Sequence, residues 1–139
     1  MDAMTLLDLP RQRRPQPKQR DLEGPIHRAV MSYLRLTLRG AVIHHSPNEV
    51  GVKGKDIARA IAKAKHNGMV VGFPDIIIIW RGRIWTFEVK APGRKPTEEQ
   101  EQVGVRIIAQ GGRWAVVRSV DDAAALVREW SQDAREDVA

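Results

Sequence analysis

The stretch "GFPDIIIIWRGRIWTFEVK", residues 72–90, decides the fold of this chain. It contains two runs of β-branched and aromatic residues, Ile76–Trp80 and Arg83–Lys90, separated by a short turn around Gly82, which together predict a β-hairpin. Apart from Arg83 beside the turn, three charged side chains lie within or beside these mainly apolar strands: Asp75, Glu88 and Lys90. Charged side chains are seldom buried unless they are paired, so their presence in this hairpin needs an explanation.

The loop of the hairpin determines which of these charges face each other. With Arg81-Gly82 as a two-residue loop, Asp75 lies directly across from Glu88. If the loop moves on by one residue, Asp75 lies across from Lys90 instead. Both registers keep the three charges on one face of the hairpin, whereas a three-residue loop without a compensating bulge separates them.

Two interpretations of the three charges follow. In the first, Lys90 pairs with Asp75 or Glu88 on a solvated face of the sheet, where such pairs are common and contribute little to stability. In the second, the two opposed carboxylates, whose Cβ atoms are about 4.5 to 5.5 Å apart, share a hard divalent cation such as Mg²⁺. Such an ion polarises a phosphodiester and lowers the pKa of bound water, and Lys90 can position that water or offset charge in the transition state.

Helical and strand patterns alternate along the rest of the chain. The predicted elements are, in order, a helix from Asp21 to Gly40, a strand at 41–46, a helix at 56–68, the hairpin, a helix at 96–110, a strand at 113–119 and a helix at 121–130. Asp56 is the expected N-cap of the second helix, and Thr97 and Gln100 form the capping-box pattern of the third. This αβ-α-ββ-α-β-α order predicts one α/β domain with a mixed β-sheet flanked by helices.

Composition narrows the class of partner. Lys and Arg outnumber Asp and Glu by 23 to 17 in 139 residues, which favours a polyanionic partner such as nucleic acid. The chain has no cysteine, so it has no disulfide framework or thiolate zinc site and suits the reducing cytoplasm in which we expect it. Neither a signal peptide nor a run of about 18 apolar residues is present, and we therefore expect no membrane contact.

The ends of the chain differ in composition from its middle. Residues 1–20 are expected to form a flexible basic arm, because "PRQRRPQPKQR" at 10–20 has three prolines, five basic side chains and no apolar residue. The arm is either a tether to phosphates or a solvated tail. We expect the domain at 21–131 and a C-terminal tail at 132–139.

The combination of "GFPD" at 72–75, "EVK" at 88–90 and a following helix that opens with "T-x-x-Q" resembles the PD-(D/E)XK nuclease superfamily and, within it, the VRR-NUC family of phage-type stand-alone domains. The resemblance covers most of residues 21–131. It implies a restriction-endonuclease-like fold, with Asp75 and Glu88 as metal ligands.

The same resemblance implies roles for four further residues. Val89 would be a metal ligand through its carbonyl, and Lys90 would be the catalytic lysine. Gln100 would be the supporting glutamine of the next helix, although the capping box alone also explains it. Glu23 matches a glutamate that often opens the first helix of this family, or is an acid favourably placed near a helix N-terminus.

Histidines give a weaker signal. His27 stands where the family has a glutamine, a departure that makes His27 a poor candidate for the site. His44 and His45 are neighbours on a predicted strand and so point to opposite faces, which argues against a shared zinc ion.

Several basic or polar residues are candidates for contacts with DNA. Those nearest the motif lysine are Arg94 and Lys95. The others lie in the segment before and within the second helix: Asn48, Lys53, Lys55 and Arg59.

By resemblance, we expect a Mg²⁺-dependent endodeoxyribonuclease, with Mn²⁺ as a substitute ion and no small-molecule cofactor. Compact members of the family act as homodimers on branched DNA such as four-way (Holliday) junctions or flaps, in a bacterial or phage-infected cell. Two alternatives stay open: a non-catalytic nucleic-acid-binding module, and a nuclease that acts on RNA.

Overall fold

A computed structural model gives the fold for residues 21–47 and 56–136, with the side chains of 134–136 excepted. Within these ranges the elements follow the predicted order. They are α1 (Glu23–Thr37), β1 (Val42–His45), α2 (Ile57–His66), β2 (Ile76–Trp80), β3 (Arg83–Val89), α3 (Glu98–Ala109), β4 (Arg113–Val117) and α4 (Val120–Glu136). The basic arm and the candidate contacts Asn48, Lys53 and Lys55 lie outside the described residues.

The four strands form one mixed sheet in the order β1-β2-β3-β4. The β1/β2 and β2/β3 pairs are antiparallel, and the β3/β4 pair, which α3 connects, is parallel. The prediction of an α/β domain with a mixed sheet is therefore confirmed.

The hairpin adopts the first of the two registers considered above. Ile76 pairs with Phe87 and Trp80 pairs with Arg83, which leaves Arg81-Gly82 as the loop. Both loop residues have positive φ, 49° at Arg81 and 75° at Gly82, as a type I′ turn requires. The same register, continued by one residue, sets Asp75 opposite Glu88.

Helices pack on both faces of the sheet. On one face, α1 and α4 pack against each other and against the sheet, and they enclose a core that includes Leu34, Phe87 and Trp130. On the other face, α3 packs on β4, where Gly104 leaves room for the ring of Trp114. Glu88 is only 1% exposed, so the interpretation that placed these charges on a solvated sheet face does not hold.

The ends of the helices differ slightly from the prediction. Asp21 precedes α1, and its Oδ1 accepts a hydrogen bond of 2.9 Å from the backbone N–H of Gly24. Asp56 occupies the N-cap position of α2 but makes no side-chain capping bond. The last helix continues to Glu136, past Trp130, because no glycine or proline follows to end it.

No helix in the described part of the chain is long and apolar enough to cross a membrane.

Candidate active site

A cleft of about 760 Å³ opens at the end of the sheet where Asp75 precedes β2 and where β3 ends. We call it the site cleft. The beginnings of α1 and α3 form its sides. All six predicted catalytic and metal-binding residues line it: Glu23, Asp75, Glu88, Val89, Lys90 and Gln100.

Asp75 is fixed through both its side chain and its backbone. Its Oδ2 accepts a hydrogen bond of 2.8 Å from the backbone N–H of Val89, across the hairpin. Its backbone carbonyl accepts one of 2.8 Å from the N–H of Ser46, just after β1. The carboxylate is therefore held at the mouth of the hairpin by main-chain groups of two neighbouring strands.

Glu88 is buried in an environment that disfavours its ionised form. Burial, followed by the charge of Asp75 and hydrogen bonding to Asp75, raises the pKa of Glu88 to about 9, and the charge of Lys90 opposes this rise. Among the described residues, no group makes a hydrogen bond to the buried Oε2 of Glu88. Two carboxyl groups and an oxygen without a partner form a set of donors suited to a hard divalent cation.

Lys90 points its ammonium group into the site cleft. Its Nζ lies 3.8 Å from Oε1 of Glu88, and its side chain is 12% exposed. Its backbone N–H donates a hydrogen bond of 3.0 Å to the carbonyl of Val117 at the end of β4. The lysine is thus anchored by its main chain, while its long contact with Glu88 leaves the ammonium free to meet an anionic ligand.

Gly72 links the start of the motif to α3. It has a φ of +82°, and a Cβ atom at this position would lie 2.6 Å from the carbonyl carbon of Glu99 and 2.8 Å from the nitrogen of Gln100. A residue with a side chain would force the two segments apart, so glycine is needed at this contact. This packing gives a physical reason for the joint presence of "GFPD" and the helix that opens with "T-x-x-Q".

Gln100 has a structural role as well as a position on the site cleft. Its Oε1 accepts a hydrogen bond of 2.8 Å from the N–H of Thr97, and Oγ1 of Thr97 accepts one of 3.2 Å from the N–H of Gln100. The predicted capping box is therefore confirmed. The side-chain NH₂ group is the part of Gln100 that remains for a ligand in the cleft.

His27, a poor candidate from sequence, lies on the site cleft together with Arg28, which the sequence reasoning missed. The ring of His27 packs edge-on against that of His45, with centroids 4.5 Å apart. Burial and the neighbouring His45 lower the pKa of His27, so its imidazole is neutral near pH 7. The four-residue spacing between Glu23 and His27, which puts them on one face of α1, is the signal that could have identified it.

No histidine metal site forms in the ranges 21–47 and 56–136. His44 pairs with Ile77 and His45 with Ile76, so the two side chains lie on opposite faces as predicted. Across these ranges no three side chains of His, Cys, Asp or Glu are grouped closely enough to hold a metal. A cation at the site cleft would therefore depend on two carboxylates, a backbone carbonyl, and oxygens of water or substrate.

The basic candidates lie outside the cleft itself. Arg94 and Lys95 are exposed on the turn that follows Lys90. Arg59 is exposed on α2 and does not line the cleft. Sequence reasoning also missed Arg118, which contacts the Arg94 backbone.

No family model and no curated protein sequence matches this chain. Seven chains of solved structures are similar to it, including the following two. One, described as a "VRR_NUC domain", has a TM-score of 0.54 and 23% identity, and the match covers 76% of this chain and 94% of that one. The other, a "VRR_NUC domain protein", has a TM-score of 0.59 and 23% identity, with 80% and 88% covered. The chain therefore has the fold of VRR_NUC domains, the restriction-endonuclease-like fold that its motif predicts.

Proposed function

We propose that this protein is a metal-dependent endonuclease that hydrolyses DNA phosphodiester bonds. The observation that carries the proposal is the meeting of Asp75, Glu88 and Lys90 at one cleft, with a buried Glu88 oxygen that has no hydrogen-bond partner among the described groups. The similarity in fold to VRR_NUC domains supports the same assignment. Burial beside Asp75 raises the pKa of Glu88, and a bound divalent cation would supply the positive charge that lets both carboxylates ionise.

The cofactor we propose is Mg²⁺, with Mn²⁺ as a substitute. Asp75 and Glu88 would bind it through their carboxylates and Val89 through its carbonyl. Mg²⁺ keeps several water ligands and commonly takes only one or two carboxylates from the protein, so this small set is sufficient. When bound, the ion would supply Lewis-acid polarisation of the phosphodiester and would lower the pKa of a water molecule.

Three side chains of the site cleft would act on the substrate directly. The Lys90 ammonium would position the attacking water or offset the negative charge that develops on the phosphate. The side-chain NH₂ of Gln100 is free to donate to a phosphate oxygen or to that water. Glu23, at the first turn of α1, would accept a hydrogen bond from the water and so orient it.

Nucleic acid is the class of substrate that the charge distribution favours. The chain carries a formal charge of +6, and the exposed pair Arg94 and Lys95 lies four and five residues after the motif lysine, Lys90. Basic side chains at such positions bind phosphates without reading sequence. The absence of cysteine supports action in a reducing bacterial cytoplasm, including that of a phage-infected cell.

We further propose a homodimer that acts on branched DNA. Val42, Ile79 and Ile84 are paired in one row across β1, β2 and β3, and they are 60%, 47% and 50% exposed. An apolar row of this kind on a sheet suits contact with a second copy of the chain. Two copies would bring two site clefts to one DNA molecule, as paired cuts at a four-way junction require. The molecular mass in solution, measured by sedimentation, checks the dimer.

The alternative of a non-catalytic binding module requires that the three charges simply pair with one another. The observed contact of 3.8 Å between Lys90 and Glu88 is too long for a strong hydrogen bond, and it leaves Oε2 of Glu88 unpaired among the described groups. The buried geometry therefore favours a cation site over a self-sufficient ion pair.

Cleavage assays test the proposal. Labelled four-way junction, flap, linear duplex and single-stranded DNA, together with a matched RNA duplex, are incubated with Mg²⁺, Mn²⁺ or EDTA. Wild-type protein is expected to cut branched DNA in the presence of either metal, and Asp75→Asn and Lys90→Ala are expected to bind the DNA without cutting it. Asp121→Asn, an exposed acid at the start of α4, is the control and should cut normally. Wild-type protein that binds these DNAs but cuts none with any metal would refute the nuclease and support the binding module.

A further inference from the structure

The segment after the motif lysine, Ala91 to Lys95, forms an ordered turn, which we call the basic turn. The N–H of Arg94 donates a hydrogen bond of 3.1 Å to the carbonyl of Ala91. Pro92 is followed by Gly93 at a φ of +81°, the pattern of a type II turn. Ala91 is 1% exposed and anchors the turn to the core, whereas Arg94 and Lys95 are exposed.

Arg118 holds this turn from the other side. Its Nη2 donates a hydrogen bond of 2.7 Å to the carbonyl of Arg94. At its other end, the N–H of Arg118 donates to Oδ2 of Asp122 at 2.9 Å, and the N–H of Asp122 donates to Oγ of Ser119 at 3.1 Å. The backbone of Arg118 is thus fixed at the start of α4, while its guanidinium binds the main chain of the basic turn.

The basic turn lies close to the reacting centre in the fold. The backbone N–H of Lys90 donates a hydrogen bond to the carbonyl of Val117. Arg118 is the next residue after Val117, so it is adjacent in sequence to this contact with the motif lysine. The guanidinium of Arg118 bonds a carbonyl and forms no salt bridge with a carboxylate of the described ranges. Among the described contacts, the guanidinium therefore serves to hold the main chain of the basic turn.

We propose that Arg118 is a positioning residue that makes the basic turn a fixed clamp on the DNA backbone beside the phosphate that is cut. This inference rests on the proposed function, since DNA is the ligand of the clamp. Arg94 and Lys95 contact the phosphates, and Arg118 acts through them. A turn that is already ordered loses less conformational entropy when it binds DNA than a flexible turn does. Removing Arg118 therefore weakens DNA binding even though Arg94 and Lys95 remain.

The first test measures the turn without DNA. Trypsin cuts the Arg94–Lys95 bond when that segment opens, and mass spectrometry identifies the cut. Arg118→Met is expected to speed this cleavage by about tenfold through local opening. Arg113→Met is the matched control. Arg113 is the first residue of β4, at the end of the strand opposite Arg118, and its guanidinium also donates a hydrogen bond, to the side chain of Asp133. Equal cleavage rates in both variants would overturn the positioning role.

The second test measures DNA affinity in EDTA as a double-mutant cycle. Arg118→Met is expected to weaken binding by about fivefold in the wild-type background and to have no further effect in Arg94→Ala/Lys95→Ala. Arg118→Lys, which keeps an ammonium group able to donate to the Arg94 carbonyl, is expected to restore most of the affinity. In Arg94→Ala/Lys95→Ala, the magnitude of the slope of log affinity against log salt concentration should be smaller than in wild type by about 1 to 2.

Each contrary outcome has a distinct meaning. A fivefold loss that persists in the Arg94→Ala/Lys95→Ala background would show that Arg118 acts independently, and the clamp would be rejected. If wild-type protein binds no DNA, both the proposed function and DNA as the ligand of the clamp would be rejected. The trypsin result would then still report whether Arg118 holds the turn, so the two failures remain separable.

Discussion

Both ends of the central hairpin carry charged side chains, but those at the tip are exposed to solvent and Glu88 at the other end is buried. At the tip, Arg81 lies 4.3 Å over the ring of Trp80, and nearby Arg113 pairs with Asp133 while both side chains are almost half exposed. At the other end, Glu88 is 1% exposed and has an oxygen with no hydrogen-bond partner in the described ranges. Charges at the tip can be solvated, whereas the charge of Glu88 cannot. Burial, and not the number of charges, therefore distinguishes the end suited to a ligand.

The largest expected effect is on catalysis at the buried end. Glu88→Gln keeps the shape of the side chain but removes its charge, and we expect cleavage of branched DNA with Mg²⁺ to fall by about 10³-fold or more. Glu129→Gln, an exposed acid on α4, is the matched control and should keep wild-type activity. Single-turnover rates measure the difference. Comparable activity in the two variants would remove the functional distinction between the two ends.

The next largest effect is expected on stability, at the contact between Gly72 and α3. Gly72 and Gly40 share a φ of +82°, but a Cβ would meet the backbone of α3 at Gly72 and nothing within 4 Å at Gly40. Gly40→Ala is expected to cost about 1 kcal/mol from backbone strain alone, and Gly72→Ala about 2 to 4 kcal/mol. Urea denaturation measures both, and equal losses would mean that the close approach to α3 has no energetic weight.

The pH dependence of stability gives a third contrast. Because the pKa of Glu88 is about 9 in the metal-free folded protein and near 4.5 when unfolded, the folded state keeps a proton that the unfolded state loses between these values. The contribution of this proton to the free energy of unfolding is fully present below pH 4.5 and is lost as the pH rises through 9. Between pH 6 and 8 it should change by on the order of 2 kcal/mol.

Glu88→Gln removes this dependence and serves as the reference. The free energy of unfolding of metal-free wild type, relative to Glu88→Gln, is expected to fall from pH 6 to pH 8. Since a cation binds the ionised carboxylate, Mg²⁺ should raise the melting temperature of wild type more at pH 8 than at pH 6, and should leave Glu88→Gln unchanged. A difference between the two proteins that does not vary with pH would contradict the raised pKa.

The smallest effect is expected at the exposed end. Breaking the pair of Arg113 and Asp133 with Asp133→Asn should cost less than about 1 kcal/mol, because both side chains are solvated and the pair is screened by salt. Thermal denaturation at low and high ionic strength measures this, and cleavage should be unchanged. A loss as large as that of Gly72→Ala would show that burial is a poor guide to which charges matter here.

Local sequence signals predicted much of this fold. The turn residues left two hairpin registers open, and the structure has the one with Arg81-Gly82 as the loop. The capping box of Thr97 and Gln100, which marks the beginning of α3, is confirmed. The grouping of Asp75 with Glu88 follows from that register. The roles of the site residues in catalysis remain predictions.

Other features depend on contacts between distant segments. The burial of Glu88 could not be predicted from the hairpin, because it requires β4 and the helices to cover β3. The contact of His27 with His45 joins α1 to β1, and no local pattern encodes it. Arg118 was missed because its partner is a main-chain carbonyl, which is present at every residue and leaves no trace in the sequence.

The packing of Gly72 on α3 also limits how the molecule can move. With no space for even a methyl group between them, the two segments cannot slide past each other and are expected to fluctuate as one rigid body. Asp75 is tied to β1 and β3, and Lys90 to β4, so three sides of the site cleft belong to the same stiff unit. Among the described residues, the first turn of α1 is the wall of the cleft that lies outside this unit. We expect its amide hydrogen exchange to be the fastest of these walls.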